Sequence, residues 1–252
     1  MKTTFNSIHF TTILFGIIFC GCTRIYYSPT AQNVPFLSEQ NEIRIVGSQS
    51  SNECIAFDIQ ASYSPIYHLG IMVNTSWCAS TGGDVFRQGN PDTGHLIEGG
   101  AGYYFRLDES SLAECYAGFG SGSLNYQWSS DTVADIKFNR IFIQPAFGFK
   151  KDVFEIGFSG RLSIVDYTNI DEMQSLNSYS NYFGTPQTNQ AYIFIEPAIT
   201  ARLGFRAMKL QFQYQKAYKI GGTTLSYSNY NMIFGAIMSP SEFFKREDEN
   251  SR

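Results

Sequence analysis

Residues Ile136-Lys-Phe-Asn-Arg-Ile-Phe-Ile-Gln-Pro-Ala-Phe-Gly-Phe149, then Lys150-Lys-Asp152, then Val153-Phe-Glu-Ile-Gly-Phe-Ser-Gly-Arg-Leu-Ser-Ile-Val-Asp-Tyr167, read as two strands around a tight turn. In the second strand Phe154, Ile156, Phe158, Leu162 and Ile164 share one face. Glu155, Gly157, Ser159, Arg161 and Ser163 share the other. This period of two persists for longer than most soluble strands run. Large apolar groups on one face, backed by charges and small residues on the other, are the pattern of a strand whose outer face meets lipid.

The chain is long enough, at 252 residues, for one large β domain. Aromatic residues make up 16% and charged residues only 16%, and the net charge of −4 carries no basic footprint for nucleic acid. Beyond the amino terminus no apolar run is long enough for a membrane helix.

Residues 1–21 read as a signal peptide. Met1-Lys2 is the positive start, Ile13 to Phe19 the apolar core, and Phe19-Cys-Gly-Cys22 resembles a bacterial lipobox. Cys22 would then be the lipidated, palmitate-bearing first residue of the mature chain. Phe19 and Cys20 depart from the usual pattern, and an ordinary signal peptide cut nearby is the alternative. Residues 22–42, with Pro29 and Pro35 and little periodicity, read as a periplasmic linker. Export implies an oxidising compartment. A disulfide between Cys54 and Cys78 is possible, although their registers look offset. Cys115 is expected to be a lone buried or lipid-facing thiol.

Ten strands are predicted, at 43–48, 54–63, 66–75, 95–107, 111–124, 136–149, 153–167, 190–204, 207–218 and 229–238. Short connections at 64–65, 108–110, 150–152 and 205–206 alternate with longer ones at 76–94, 125–135, 168–189 and 219–228. Only 49–53 breaks the rule. This is the rhythm of an antiparallel up-and-down transmembrane β-barrel spanning 43–240, with short turns in the periplasm and long loops outside. An even strand count returns both termini to the periplasm, where a lipid on Cys22 would enter the inner leaflet. Eight strands is the alternative count, and 241–252 reads as a polar tail. Tyr63, Tyr103, Phe105, Phe149 and Phe154 fall beside the short turns on the apolar face, where an interfacial aromatic girdle belongs. A soluble barrel would put its apolar face inside instead.

The inward charges fall at two heights. Glu98, Arg140, Arg161 and Glu196 lie near mid-barrel, and Arg106, Glu114, Glu155 and Arg202 lie nearer the short turns. Unpaired buried charges are costly, so two mixed-sign networks are expected. They would either plug a narrow barrel or form the constriction of a channel. Catalysis finds little support. His68 and His95 have no serine at a motif spacing, and Asp166 and Asp171 lie near one exposed loop. No Cys or His cluster has metal-ligand spacing, and no cofactor motif is present. Gly118-Phe-Gly-Ser-Gly122 sits inside a strand with no helix to follow, so phosphate binding is not credible. The loop containing Ser175-Leu-Asn-Ser-Tyr-Ser-Asn-Tyr-Phe183 has a composition suited to recognition.

Tyr27-Ser-Pro29, Asn33-Val-Pro35-Phe-Leu37, Phe57-Asp-Ile-Gln-Ala-Ser-Tyr63, Leu69-Gly-Ile-Met72, Gly99-Gly-Ala-Gly-Tyr-Tyr104 and Glu114-Cys-Tyr-Ala-Gly-Phe-Gly120 together resemble a group of small outer-membrane barrel proteins of Bacteroidota, many of them lipoproteins, without an assigned function. The resemblance implies an outer-membrane barrel and carries no catalytic residue. The chain departs from it by running past its last strand to Arg252. Expected partners are outer-membrane lipids and the barrel-assembly machinery, with an unknown extracellular ligand. The expected role is structural or loop-mediated recognition. A passive narrow channel is the first alternative, and an envelope-lipid-modifying enzyme the second.

Overall fold

Strict alternation leaves each strand with one face for lipid and one for an interior, and a sheet built that way must close. The structure, a computed structural model, describes residues 25–51, 55–79, 93–129, 132–172 and 184–242. Its strands are β1 (Ile43–Ser51), β2 (Ile55–Ile66), β3 (Leu69–Ala79), β4 (Thr93–Arg106), β5 (Ser111–Ser129), β6 (Thr132–Lys150), β7 (Phe154–Glu172), β8 (Ala191–Gly204), β9 (Met208–Lys216), β10 (Tyr218–Gly221) and β11 (Tyr230–Met238). Each of β1 to β8 pairs antiparallel with the next, β9 pairs with β11, and β11 returns to β1. β10 prolongs β9 past Ala217 and stays beside β8. The result is a closed antiparallel barrel of ten staves among the described residues.

The faces follow the sequence. Phe154, Phe158, Leu162 and Ile164 are exposed, whereas Glu155, Ser159, Arg161 and Ser163 are buried. The same holds around the ring: Phe57, Ile59, Ile97, Ile141, Ile195, Leu210 and Phe234 point out, and Asp58, Glu98, Arg140, Glu196 and Gln211 point in. An apolar exterior around a charged interior inverts the arrangement of a soluble protein, and makes this a transmembrane barrel. Near the short turns Tyr103, Phe105, Phe149 and Phe154 stand exposed on the outer face. Phe147 and Phe149 meet edge to face with ring centroids 5.4 Å apart. This is the expected aromatic girdle.

Two expectations about connections are corrected. Ser64-Pro65 is not a turn. The register shifts between Tyr63 and Ile66, so Pro65, which lacks an N–H, sits at a bulge within β2. The chain reverses at Tyr67-His68, with His68 at φ 71°. The predicted loop 125–135 is mostly strand, because β5 runs to Ser129 and β6 starts at Thr132. β5, β6 and β7 each have 19 residues, well beyond the roughly 9–11 needed to cross a bilayer. Their upper inward residues Tyr126, Ala134, Ile136, Val165 and Tyr167 join Tyr26 and Tyr27 in one buried cluster. The strands continue past the membrane because that cluster gives their inner face something to pack against.

The largest correction concerns the expected periplasmic linker. Over its described part, residues 25–42, it lies inside the barrel. Tyr26, Tyr27, Ala31, Gln32, Asn33, Val34, Phe36 and Leu37 are buried. Tyr27 bridges to Tyr227 at the long-loop end, while the Asn41 N–H donates to the Ser64 carbonyl at the short-turn end. The segment therefore crosses the lumen from one rim to the other before β1 begins.

The facing can be tested directly. Leu162→Arg puts a charge on the lipid face and should cost about 2–4 kcal/mol of folding stability near the midplane. Lys137→Ala, at an exposed position above the apolar band, should leave folding unchanged. The check is the fraction of each variant showing heat-modifiable migration in detergent gels.

Candidate functional site

The site is the occupied lumen and the hollow at its long-loop rim. An extended segment without strand neighbours has peptide groups that must find partners elsewhere. Here the barrel wall supplies side chains in place of a ladder. Gln213 accepts from the Gln32 N–H (2.8 Å) and donates to the Gln32 carbonyl (3.0 Å), as a neighbouring strand would. Gln60 donates to the Ala31 carbonyl, Gln144 to Asn33, Arg202 to Val34 and Asn231 to Pro29, at 2.6–2.9 Å. Arg161 donates to the Thr30 carbonyl at 3.0 Å. Tyr126 and Tyr167 hydroxyls hold the carbonyls of Ile25 and Tyr26. The Gln32 side chain donates to the Glu196 carbonyl and accepts from Ser159.

Shape fixes the register of the plug. The Phe36 ring lies against Gly148 and Gly157, inward positions of β6 and β7, where any Cβ would overlap the ring. Leu112 and Val34 pack beside it. Gly148 and Gly157 together form a socket for one aromatic ring.

The interior charges form two tiers, as expected, with changes in membership. In the upper tier Arg140 pairs with Glu98 (2.5 and 3.0 Å) and Arg161 with Glu196 (2.5 Å). Tyr27 joins the two pairs: its hydroxyl donates to Glu196 and accepts from Arg140 at 3.4 Å. In the lower tier Glu155 receives both terminal nitrogens of Arg44 at 2.8 Å, Arg202 at 2.9 Å and Lys209 at 3.1 Å. Glu42 joins Arg44 (3.0 Å) and Lys150 (2.6 Å). Arg106, placed in this tier by height alone, is exposed at the rim and donates to the Glu109 carbonyl. Glu114 is buried but accepts the Phe36 N–H at 3.0 Å and makes no ion pair among the described residues. Sequence reasoning missed Glu42, Arg44, Lys150 and Lys209. Arg44 and Lys209 alternate with outward apolar residues on β1 and β9, a signal that was available.

The opposite wall is different. Ser48 Oγ, Asp58 Oδ2, Gln60 Oε1, Asn231 Oδ1 and both polar atoms of Gln215 are buried without a protein partner. These residues lie on β1, β2, β9 and β11; Glu114 Oε1 and the Tyr116 hydroxyl on β5 and Gln211 Nε2 on β9 are likewise buried and unpaired among the described residues. Above them, at the long-loop rim, opens a cavity of about 80 Å³ whose walls include Tyr26, Tyr27, Asp58, His95, Phe138 and Arg140.

The remaining predicted residues are scattered. His68 contacts the Tyr104 carbonyl near the short turns, and His95 contacts Ser123 near the long-loop rim. Asp171 accepts from Asn169, and Asp166 opposes Asn139 in the ladder. Cys115 is free and faces outward. Cys78 is disulfide-bonded to a partner outside the described residues; Cys54 and Cys22 also lie outside them. The Cα partner of Cys78 on β2 is Ala56, the offset that the sequence suggested.

No family model matches this chain, and no curated protein does. Among solved structures it is similar to the KdgM porin, at 10% identity and a TM-score of 0.40, over 78% of this chain and 98% of that one. A second structure, the KdgM porin in complex with disordered oligogalacturonate, is similar at 9% identity and a TM-score of 0.37 over the same shares.

Two measurements test the lumen. Gln213→Leu strands the Gln32 peptide groups and should cost about 1–3 kcal/mol for each group left unpaired. Gln215→Leu, equally buried but unpartnered, should cost little; urea unfolding midpoints distinguish them. The second test uses pH. Burial alone would raise the Glu42 carboxyl, but Lys150 and Arg44 outweigh it and hold the group at about 2, below its ordinary 4.5. A depressed carboxyl stabilises fully above the unfolded value and loses that contribution as pH falls through 4.5 toward 2. Glu42→Gln should therefore flatten the stability profile in that window and lower stability at neutral pH.

Proposed function

We propose that this chain is an outer-membrane barrel closed by its own amino-terminal segment, with a recognition role at the long-loop face and no catalytic one. The observation that carries this reading is the occupancy of the lumen by residues 25–42, bonded to the wall from rim to rim. A segment bonded across the lumen from rim to rim argues against the open bore on which porins depend. The hollow floored by Asp58 and walled by Tyr26, Tyr27 and Phe138 is the feature best suited to a ligand, because it joins aromatic faces to a buried carboxylate.

A second reading, a narrow path for water and small ions, draws on the unpartnered polar atoms of Ser48, Asp58, Gln60, Gln215 and Asn231 along one wall. Such a row can be hydrated beside the plug. Planar-bilayer recordings separate the two. The intact protein should give no stepwise openings, and a variant lacking residues 25–41, verified as folded by heat-modifiable migration, should conduct. Reproducible openings from the intact barrel would favour the channel.

A further inference from the structure

The path of the plug has a consequence for the anchor. Ile25, Tyr26 and Tyr27 are held at the long-loop end, by the Tyr126 hydroxyl, the Ser226 carbonyl and a bridge to Tyr227. Asn41 and Glu42 are held at the short-turn end, where both exchange backbone bonds with Ser64. The chain thus enters at the long-loop rim and travels down the lumen into β1. Cys22 precedes Ile25 by three residues, a span of at most about 11 Å. The apolar band of such barrels is about 25 Å tall. A lipid on Cys22 therefore cannot reach the leaflet at the short turns.

We propose that the acyl group of Cys22 lies on the outer-leaflet side, at the cell surface, and that the barrel closes around its own tether. This rests on the outer-membrane reading with short turns in the periplasm, and on the lipobox-like Phe19-Cys-Gly-Cys22. A segment with a lipid at one end and a strand at the other is not readily threaded through a finished ring. The closing seam is therefore the pairing of β1 with β11, Ile45 opposite Met238 through Ser50 opposite Ile233. β1 follows directly from the plug, so zipping that seam encloses residues 25–42. The two salt-bridge tiers and the Phe36 socket then hold the tether in place.

The test is topological. An epitope inserted between Thr23 and Arg24 and a second inserted after Asp152 are probed by antibody on intact and permeabilised cells. The proposal expects labelling at 23 to be unchanged by permeabilisation and labelling at 152 to require it. If both sites require permeabilisation, the threaded path is wrong. If only 152 is reached on intact cells, the orientation underlying the proposed function is wrong instead. Should the first insertion block assembly, Arg24→Cys labelled with an impermeant maleimide reads the same position. Labelled palmitate should be incorporated and then lost in Cys22→Ala. No incorporation into the parent protein overturns the acyl half of the proposal.

Discussion

A peptide segment taken out of water must have its N–H and C=O groups satisfied, and between its paired ends at Tyr27 and Asn41 the plug has no strand beside it to do it. Everything distinctive about the interior answers that requirement. Gln213, Gln60, Gln144, Asn231, Arg161 and Arg202 reach from different staves to successive peptide groups of the plug. Amide side chains serve well because each carries a donor and an acceptor, and Gln213 uses both on one residue. The run Gln211, Gln213, Gln215 on the inner face of β9 is thus a partial substitute for a missing ladder, and only its middle member pairs fully with the plug.

Steric fit and charge build on that frame. Phe36 fixes the height of the segment because β6 and β7 present glycine where any side chain would collide with the ring. The charged tiers sit above and below this region. Buried ion pairs are seldom a net source of stability, but removing one partner is costly. Glu155, shared by Arg44, Arg202 and Lys209, is accordingly a point where the lower lumen tolerates little change. At the long-loop end, packing of Tyr26 and Tyr27 against Tyr126, Tyr167, Tyr192 and Phe194 replaces ionic contacts. Tyr27 links the two regions by stacking on Phe194 and bonding to Glu196.

The wall does not pair with the plug everywhere. Polar atoms of Ser48, Asp58, Gln60 and Asn231 on β1, β2 and β11, of Glu114 and Tyr116 on β5, and of Gln211 and Gln215 on β9 are buried and unpaired among the described residues. The hollow at the long-loop rim is walled by residues of β1 to β6 and β11, among them Asp58, a buried carboxylate with one oxygen unpaired among the described residues.

Strand positions, inward and outward faces, the aromatic girdle and the two heights of charge were legible in residues such as Phe154 to Ile164, because strand alternation is a local property set by the pleat. The sequence alone also determined that Glu98, Arg140, Arg161 and Glu196 would share an interior. The fate of residues 25–42 was decided only by the tertiary structure. Two prolines and no periodicity describe an external linker and an internal plug equally well, since neither forms a regular element. Its bonding partners are contributed by Gln60, Gln144, Arg202, Gln213 and Asn231, which are far apart in the chain and come together only when the ring closes. The extra length of β5, β6 and β7 was hidden for the same reason: their upper inward aromatics gain a core only from the segment that the barrel encloses.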